Sequence, residues 1–485
     1  MTDTTSRENE RDTADQDAGE LDVTSLRAVV VGPVLTPGDE GFADEVVAWI
    51  RNFDHTPQVA VGVTSAADVI AAVNFARDNL LPVRVQATGH ASHFAITDGM
   101  LIVTKRMSDV TVDSAARTAT ISAGASWAAV VAAAGVRLAP IAGSAPTVGA
   151  VGFLLGGGVG PLARSFGFGS DYIESVEIVT SNGELITASA SQNQDLFWAL
   201  RGGKGGLGVV TEIRVRLVEL DTLYGGSLFF DVDAIEPALR AWVDYTQTAD
   251  PNVTTSAAIL RMPDLPFIPE PVRGRTLLSL RFAYTGGGDG DSDGDGTGGR
   301  DGELGGDLDL AARGEVLAAP LRAAAPVYID SLALMPAGEV ARIHGDPTEP
   351  TVGWTLGRMF TSIDQDFASV ILRHAGPLQH APYVAIEVRH LGAATIVDVP
   401  GGSAVGGRSA PYTLNLVGAP NPALFAEVLP TSSAALLKDL SPWLADVTTV
   451  NFLGHPGASA WSADTNQRLG KVRAEVDPAG MFVLE

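Results

Sequence analysis

Residues 139–169 read APIAGSAPTVGAVGFLLGGGVGPLARSFGFG, with glycines clustered at Gly149, Gly152, Gly156, Gly157, Gly158 and Gly160. A run such as 156–158 leaves backbone N–H groups without side chains in the way and permits positive φ. Such backbone can wrap an anion closely. The same run also reads as a plain loop or as a tight packing point between strands. It lacks the strand–GxGxxG–helix order with an acidic residue at the expected distance, and Gly203-Lys204-Gly205 lacks the Ser/Thr of a phosphate loop. The doubly wound dinucleotide fold and the P-loop fold are both disfavoured. A second stretch, VRVQATGHASHFAITDGMLIV over residues 83–103, is the candidate partner of the first.

With 485 residues, 46% of them hydrophobic, the chain can bury a large core and is most simply divided into two domains. No apolar run approaches the roughly 18 residues that a membrane helix needs. The start, MTDTTSRENERDTADQDAGELDV, is acidic and polar, unlike a basic–apolar signal. These features point to a soluble, cytoplasmic protein. Cysteine is absent, which excludes disulfides, thiolate nucleophiles and thiolate metal sites; no metal site is expected. The net charge of −25 argues against nucleic acid and anionic membranes, because phosphate binding needs clustered cations and the lysines are Lys105, Lys204, Lys438 and Lys471. Acid-rich, Lys-poor composition also suggests a protein suited to high salt.

Residues 1–24 read as a disordered acidic arm. Val59, Val61 and Val63 alternate as in a strand. Ser65 is a candidate N-cap with Asp68 three residues on, opening a helix through Val69, Ile70, Val73 and Ala76. Residues 81–85 return as a strand in a βαβ-like unit that ends at Gly89-His90. Strands over 111–113 and 118–121 precede a short helix from Ser126 that stops at Gly135. Residues 173–180 and 185–188 flank Asn182-Gly183, a hairpin signal. A helix containing 195–200 then leads to a strand over 209–218. From Leu223 the texture changes to that of a second domain, interrupted by an acidic Gly/Asp stretch over 286–307. Its alternating Asp and Gly lack the spaced Glu of a calcium loop, and a solvated linker is the better reading. The Pro-bounded close, VDPAGMF, is expected to dock on the first domain.

In residues 381–390, APYVAIEVRH, strand periodicity places Tyr383, Ala385, Glu387 and Arg389 on one face and Val384, Ile386, Val388 and His390 on the other. A lone His on an apolar face reads as core. The Glu–Arg face reads either as a solvated surface or as part of a site.

Taken together, RNFDHTPQVAV, TGHAS, GSAPTVGAVGFLLGGGVG, VTSNGEL, DLFWALRGGKGGLGVVTEI, RHLGAAT, VNF and VDPAGMF resemble, in order and spacing, the FAD-linked oxidoreductases of the vanillyl-alcohol oxidase, or PCMH-type, superfamily, in its berberine bridge enzyme-like branch. The resemblance covers most of the chain. It implies an α+β protein with a PCMH-type FAD-binding domain in two parts, 36–222 and 446–485. Between them, over 223–445, it implies a substrate domain with an antiparallel sheet backed by helices.

By the same resemblance, Thr88, Gly89, His90, Ala91 and Ser92 wrap the FAD pyrophosphate, and His90 carries the flavin through its 8α-methyl group. Ala145 stands before Pro146 where many relatives have a second attaching Cys, so a single link is implied. Ser144, Pro146, Thr147, Gly149, Gly152, Gly156, Gly157 and Gly158 resemble a second flavin loop. Gly208, Val209 and Val210 resemble an adenine-side strand, and Asn451 matches an Asn close to the flavin. The implied reaction moves hydride from a CH–OH or CH–N carbon of a small molecule to flavin N5 and then to oxygen, giving peroxide. A dehydrogenase using another acceptor, or a non-catalytic FAD binder, stands as the alternative. The departing proton needs a base; Glu387 is the first candidate and Tyr383 the second, with Arg389 placed to stabilise an anion or tune a neighbour.

Overall fold

The computed structural model describes residues 21–266, 268–286, 304–454 and 459–483, with backbone alone for 304–308. Most of the acidic arm and residues 287–303 of the Gly/Asp stretch lie outside the described residues. A helix, Leu304–Arg322, starts inside the segment expected to be linker.

The first part of the chain holds two sheets. A four-stranded sheet runs in the order Val34–Leu35, Val59–Gly62, Met100–Val103, Val83–Gln86. Met100–Val103 pairs in parallel with both neighbours, so it separates the two strands of the expected βαβ unit. The crossover helix Ala66–Asp78 is capped by Ser65, whose Oγ accepts from the Asp68 N–H at 3.3 Å. The capping box is only half formed, because the Asp68 carboxylate turns instead to the Thr64 and Val31 N–H groups, at 2.9 Å each. A five-stranded antiparallel sheet follows in the order Val110–Asp113, Thr118–Ser122, Val209–Arg216, Ile173–Val179, Leu185–Ser189. The last two strands are joined through Asn182-Gly183, with Gly183 at φ +79. Helix Trp127–Ala134 is capped by Ser126 and ends at Gly135, also at positive φ.

The second part is an eight-stranded antiparallel sheet containing Thr222–Phe230, Thr276–Tyr284, Val253–Arg261, Tyr383–His390, Tyr412–Gly418 and Thr355–Phe360 in that order, with the short strands Ile329–Asp330 and Ala333–Pro336 paired to the first of them. Its apolar face (Phe230, Leu280, Ile386, Val388, Leu414) packs under helices through Trp242, Leu321, Phe367 and Leu436. The architecture is α+β, with an antiparallel sheet backed by helices.

The chain returns to the first part at its C-terminus. The Val83 N–H donates to the Met481 carbonyl at 2.8 Å, and Met481 and Phe482 join the core of Val59, Val69 and Met100. Helix Ala463–Val476 buries Leu469 and Val472 against Phe197 and Leu200. Among the described residues, no helix is long and apolar enough to cross a membrane.

Candidate functional site: a loop cradle and a charged sheet face

The two stretches singled out in the sequence meet. Thr88 Oγ1 lies 2.9 Å from His90 Nδ1 and accepts from the Gly149 N–H at 3.2 Å, while His90 Nε2 lies 3.0 Å from Thr147 Oγ1. The imidazole stacks on Trp49 at 4.2 Å between ring centroids, a partner the sequence did not suggest. Trp49 is brought there by backbone pairing, since its N–H donates to the Thr88 carbonyl and that of Ile50 to the Gly89 carbonyl. Gly89 has φ +74, and a Cβ there would strike Ala48. Burial pushes the His90 pKa down to about 4, so the ring is neutral at ordinary pH.

The remaining candidates divide by role. Ala91 is exposed, and Ser92 turns away to His55, whose Nδ1 accepts from the Ile96 N–H. Pro146 accepts from the Ala128 N–H, and Ser144 donates to Asp346 at 2.6 Å. Gly157 and Gly158 hold φ of +97 and +80, and a Cβ on Gly158 would lie 2.4 Å from the Phe153 ring. Their glycine is demanded by backbone conformation and packing. Asn451 braces the triplet: it donates to the Phe153 carbonyl at 2.8 Å, accepts from Lys204, and occupies the space a Gly156 side chain would fill. Gly208 has φ +133 and packs on the Val179 carbonyl. Val210 is a core residue beside Ile178.

The polar face of the large sheet carries the second cluster. Ser256 stands in register with Arg281 on one neighbouring strand and Arg389 on the other. Glu387 lies one residue pair further along the same face. Its Oε1 accepts from Arg281 Nη1 at 2.5 Å and from Ser256 at 2.8 Å, and its Oε2 accepts from Arg389 Nε at 2.8 Å. His344 Nε2 is 3.4 Å from Glu387 Oε1, a contact longer than a good hydrogen bond. All four charged or titratable groups are nine-tenths buried. Burial alone would raise the Glu387 pKa, but Arg389 and Arg281 outweigh it and hold the carboxyl well below its usual range. Burial lowers the His344 pKa, assisted by Arg281 and Arg389 and opposed by Glu387.

Tyr383 does not share this face. A register shift between Tyr383 and Ala385 breaks the alternation at the strand's start. Tyr383 therefore packs in the apolar core beside Trp354, and burial raises its pKa, opposed by Ser432. His390 is on the other face as expected: it lies 2.9 Å from Arg164, stacks on Tyr412, and is pushed by burial, with help from Arg164, down to about 3. Arg281 and His344 were missed. Arg281 had a signal, since alternation in Thr276–Tyr284 puts Ser279, Arg281 and Ala283 on one face. His344 follows a 3-10 turn, Ala337–Ile343, and had none.

Cradle and cluster are joined. Phe452, next to Asn451, lies under the Arg389 guanidinium at 5.2 Å. A cavity of about 20 Å³ is walled by Gly160 and Pro161 from the glycine-rich stretch and by Ser256, Arg281, His344 and Arg389 from the sheet side.

Known proteins resemble this chain in sequence and in fold. Residues 57–189 match the family described as FAD binding domain. The FAD-dependent monooxygenase prx3 of Penicillium roqueforti is 32% identical over 249 residues, covering 49% of this chain and 48% of that protein. The (R)-6-hydroxynicotine oxidase of Paenarthrobacter nicotinovorans is 37% identical over 194 residues, covering 39% and 42%. The chain spans about half the length of these curated relatives or less. The crystal structure of 6-hydroxy-D-nicotine oxidase from Arthrobacter nicotinovorans superposes with a TM-score of 0.77 at 23% identity, covering 93% of this chain and 96% of that one. BBE-like 1 of Physcomitrella patens gives 0.77 at 18%, covering 96% and 98%. Residues 57–189 therefore match an FAD-binding domain, and the chain shares the fold of 6-hydroxy-D-nicotine oxidase and BBE-like 1, the α+β architecture that the sequence resemblance implied.

The residues of the cradle fit the cofactor. They are small, a Cβ on exposed Gly152 would meet nothing within 4 Å, and a neutral imidazole is held between two threonines.

Proposed function

We propose that the protein is an FAD-dependent oxidase of a small molecule. The observation that carries this reading is the His90–Thr147 contact, which makes the TGHAS loop and the glycine-rich stretch one cradle. The chemistry FAD supplies when bound is two-electron oxidation, a CH–OH or CH–N carbon giving hydride to N5 and oxygen being reduced to hydrogen peroxide. His90, neutral through burial, keeps one nitrogen lone pair, which would leave its threonine hydroxyl to bond the flavin 8α-carbon, and Ala145 offers no second attachment. Thr88 and Thr147 orient the ring for that bond. On the sheet face, the substrate's O–H or N–H proton would pass to neutral His344, and ionised Glu387, 3.4 Å from its Nε2, would stabilise the imidazolium that forms. Arg281 and Arg389 restrain the basicity of Glu387 and position it.

The test is the visible spectrum of the purified protein before and after acid precipitation. Yellow colour retained in the pellet, and moved to the supernatant by His90→Ala, supports the covalent link; peroxide release in a screen of alcohols and amines then supports the oxidase. A protein that purifies colourless and takes up no added FAD sinks the reading.

A further inference from the structure

We propose that the cavity walled by Arg281, Arg389, His344 and Ser256 binds a carboxylate, and that the substrate of the oxidase reading carries one. The substrate clause rests on that reading; the binding site does not.

Two buried guanidiniums share one carboxylate. Among the described residues, Glu387 is the acid that ion-pairs with Arg281 and with Arg389. With His344 neutral, the cluster carries an excess of one positive charge, and a buried charge is costly unless paired. The unused polar atoms are on the same wall: among the described residues, Arg281 Nε, a donor, and the two ring nitrogens of His344, one donor and one acceptor in the neutral ring, have no hydrogen-bond partner beyond the long Nε2 contact with Glu387. Each belongs to a side chain nine-tenths buried that lines the cavity. Glu387 is set back from that wall and reached through Ser256, Arg281 and Arg389. The volume of about 20 Å³ holds little more than one water, so it admits the head of a small anion rather than a whole substrate. Guanidinium forks match the planar carboxylate in particular. The contact of Arg389 with the Phe452 ring leaves the positive charge in place. The same excess charge disfavours a cationic amine, which narrows the CH–OH or CH–N choice toward acids.

The probes are acetate and formate, titrated into the purified full-length protein at constant ionic strength and read by the thermal unfolding midpoint, with chloride and acetamide as controls. The expected result is a saturable rise with acetate or formate, absent with acetamide. Arg281→Met and Arg389→Met should each weaken the affinity about tenfold or more, the loss of one charge-assisted contact. Arg281→Met keeps Glu387 paired with Arg389, which guards against a variant that merely fails to fold. Absence of saturable binding overturns the site, as does acetate affinity unchanged in both variants. Chloride binding as tightly as acetate overturns the carboxylate class. A colourless protein that still binds acetate fails the flavin reading and leaves the site standing.

Discussion

His90, half-buried, and His344, with its side chain buried, are both neutral imidazoles, and their surroundings are opposite. His90 is held by loops, with each ring nitrogen beside a threonine hydroxyl and one face on Trp49. His344 sits against a sheet, among two guanidiniums and a carboxylate, with neither nitrogen closely hydrogen-bonded among the described residues. A satisfied imidazole is oriented and inert until something approaches it. An unsatisfied one among unbalanced charges marks a place where a ligand group is still owed. Under the proposed function, holding a cofactor and meeting a substrate would be separated by how completely each site satisfies its own polar atoms.

The largest test of this contrast is Glu387→Gln. Removing the shared carboxylate leaves two buried guanidiniums unpaired, and the large-sheet part should lose about 3–5 kcal/mol in urea unfolding. A loss under about 1 kcal/mol, the range of exposed pairs, would break the comparison. A smaller effect is expected at the cradle. Thr147→Val removes one partner of His90 and should cost about 1 kcal/mol; a neutral outcome would mean that Trp49 and Thr88 alone fix the ring.

A separate effect is on pH dependence. His90 has a pKa of about 4 in the folded protein against 6.5 for the ordinary side chain, so between those values the unfolded chain binds more protons. Stability should rise with pH from about 4 to 6.5 and then level, and His390, at about 3, extends the same slope downward. His90→Asn should flatten the upper part of the slope in midpoints measured across pH; an unchanged slope would show that His90 is already solvated.

Much of the local structure was legible because its causes are local. The Ser65 cap, the Asn182-Gly183 connection and the Gly135 stop each depend on residues within one turn of chain. Glu387 and Arg389 were legible as a pair because strand period puts residues two apart on one face. Tyr383 was misplaced because a register shift, set by pairing with the strand at Gly418, overrides that period. The partners of Glu387 were hidden for a similar reason: Arg281 reaches it across 106 residues of sequence, through a sheet register that no local pattern specifies.

The sequence by itself determined the glycine clustering of the loops, the absence of any thiol chemistry and the alternation of the strand from Ala385 to His390. These follow from residue type, period and spacing. Tertiary structure alone decided that His90 meets Thr147, that Asn451 fills the space beside Gly156, and that Arg281, Glu387, Arg389 and His344 share one buried volume. Burial and charge balance belong to that volume rather than to any stretch of chain, because both depend on which distant side chains exclude water together.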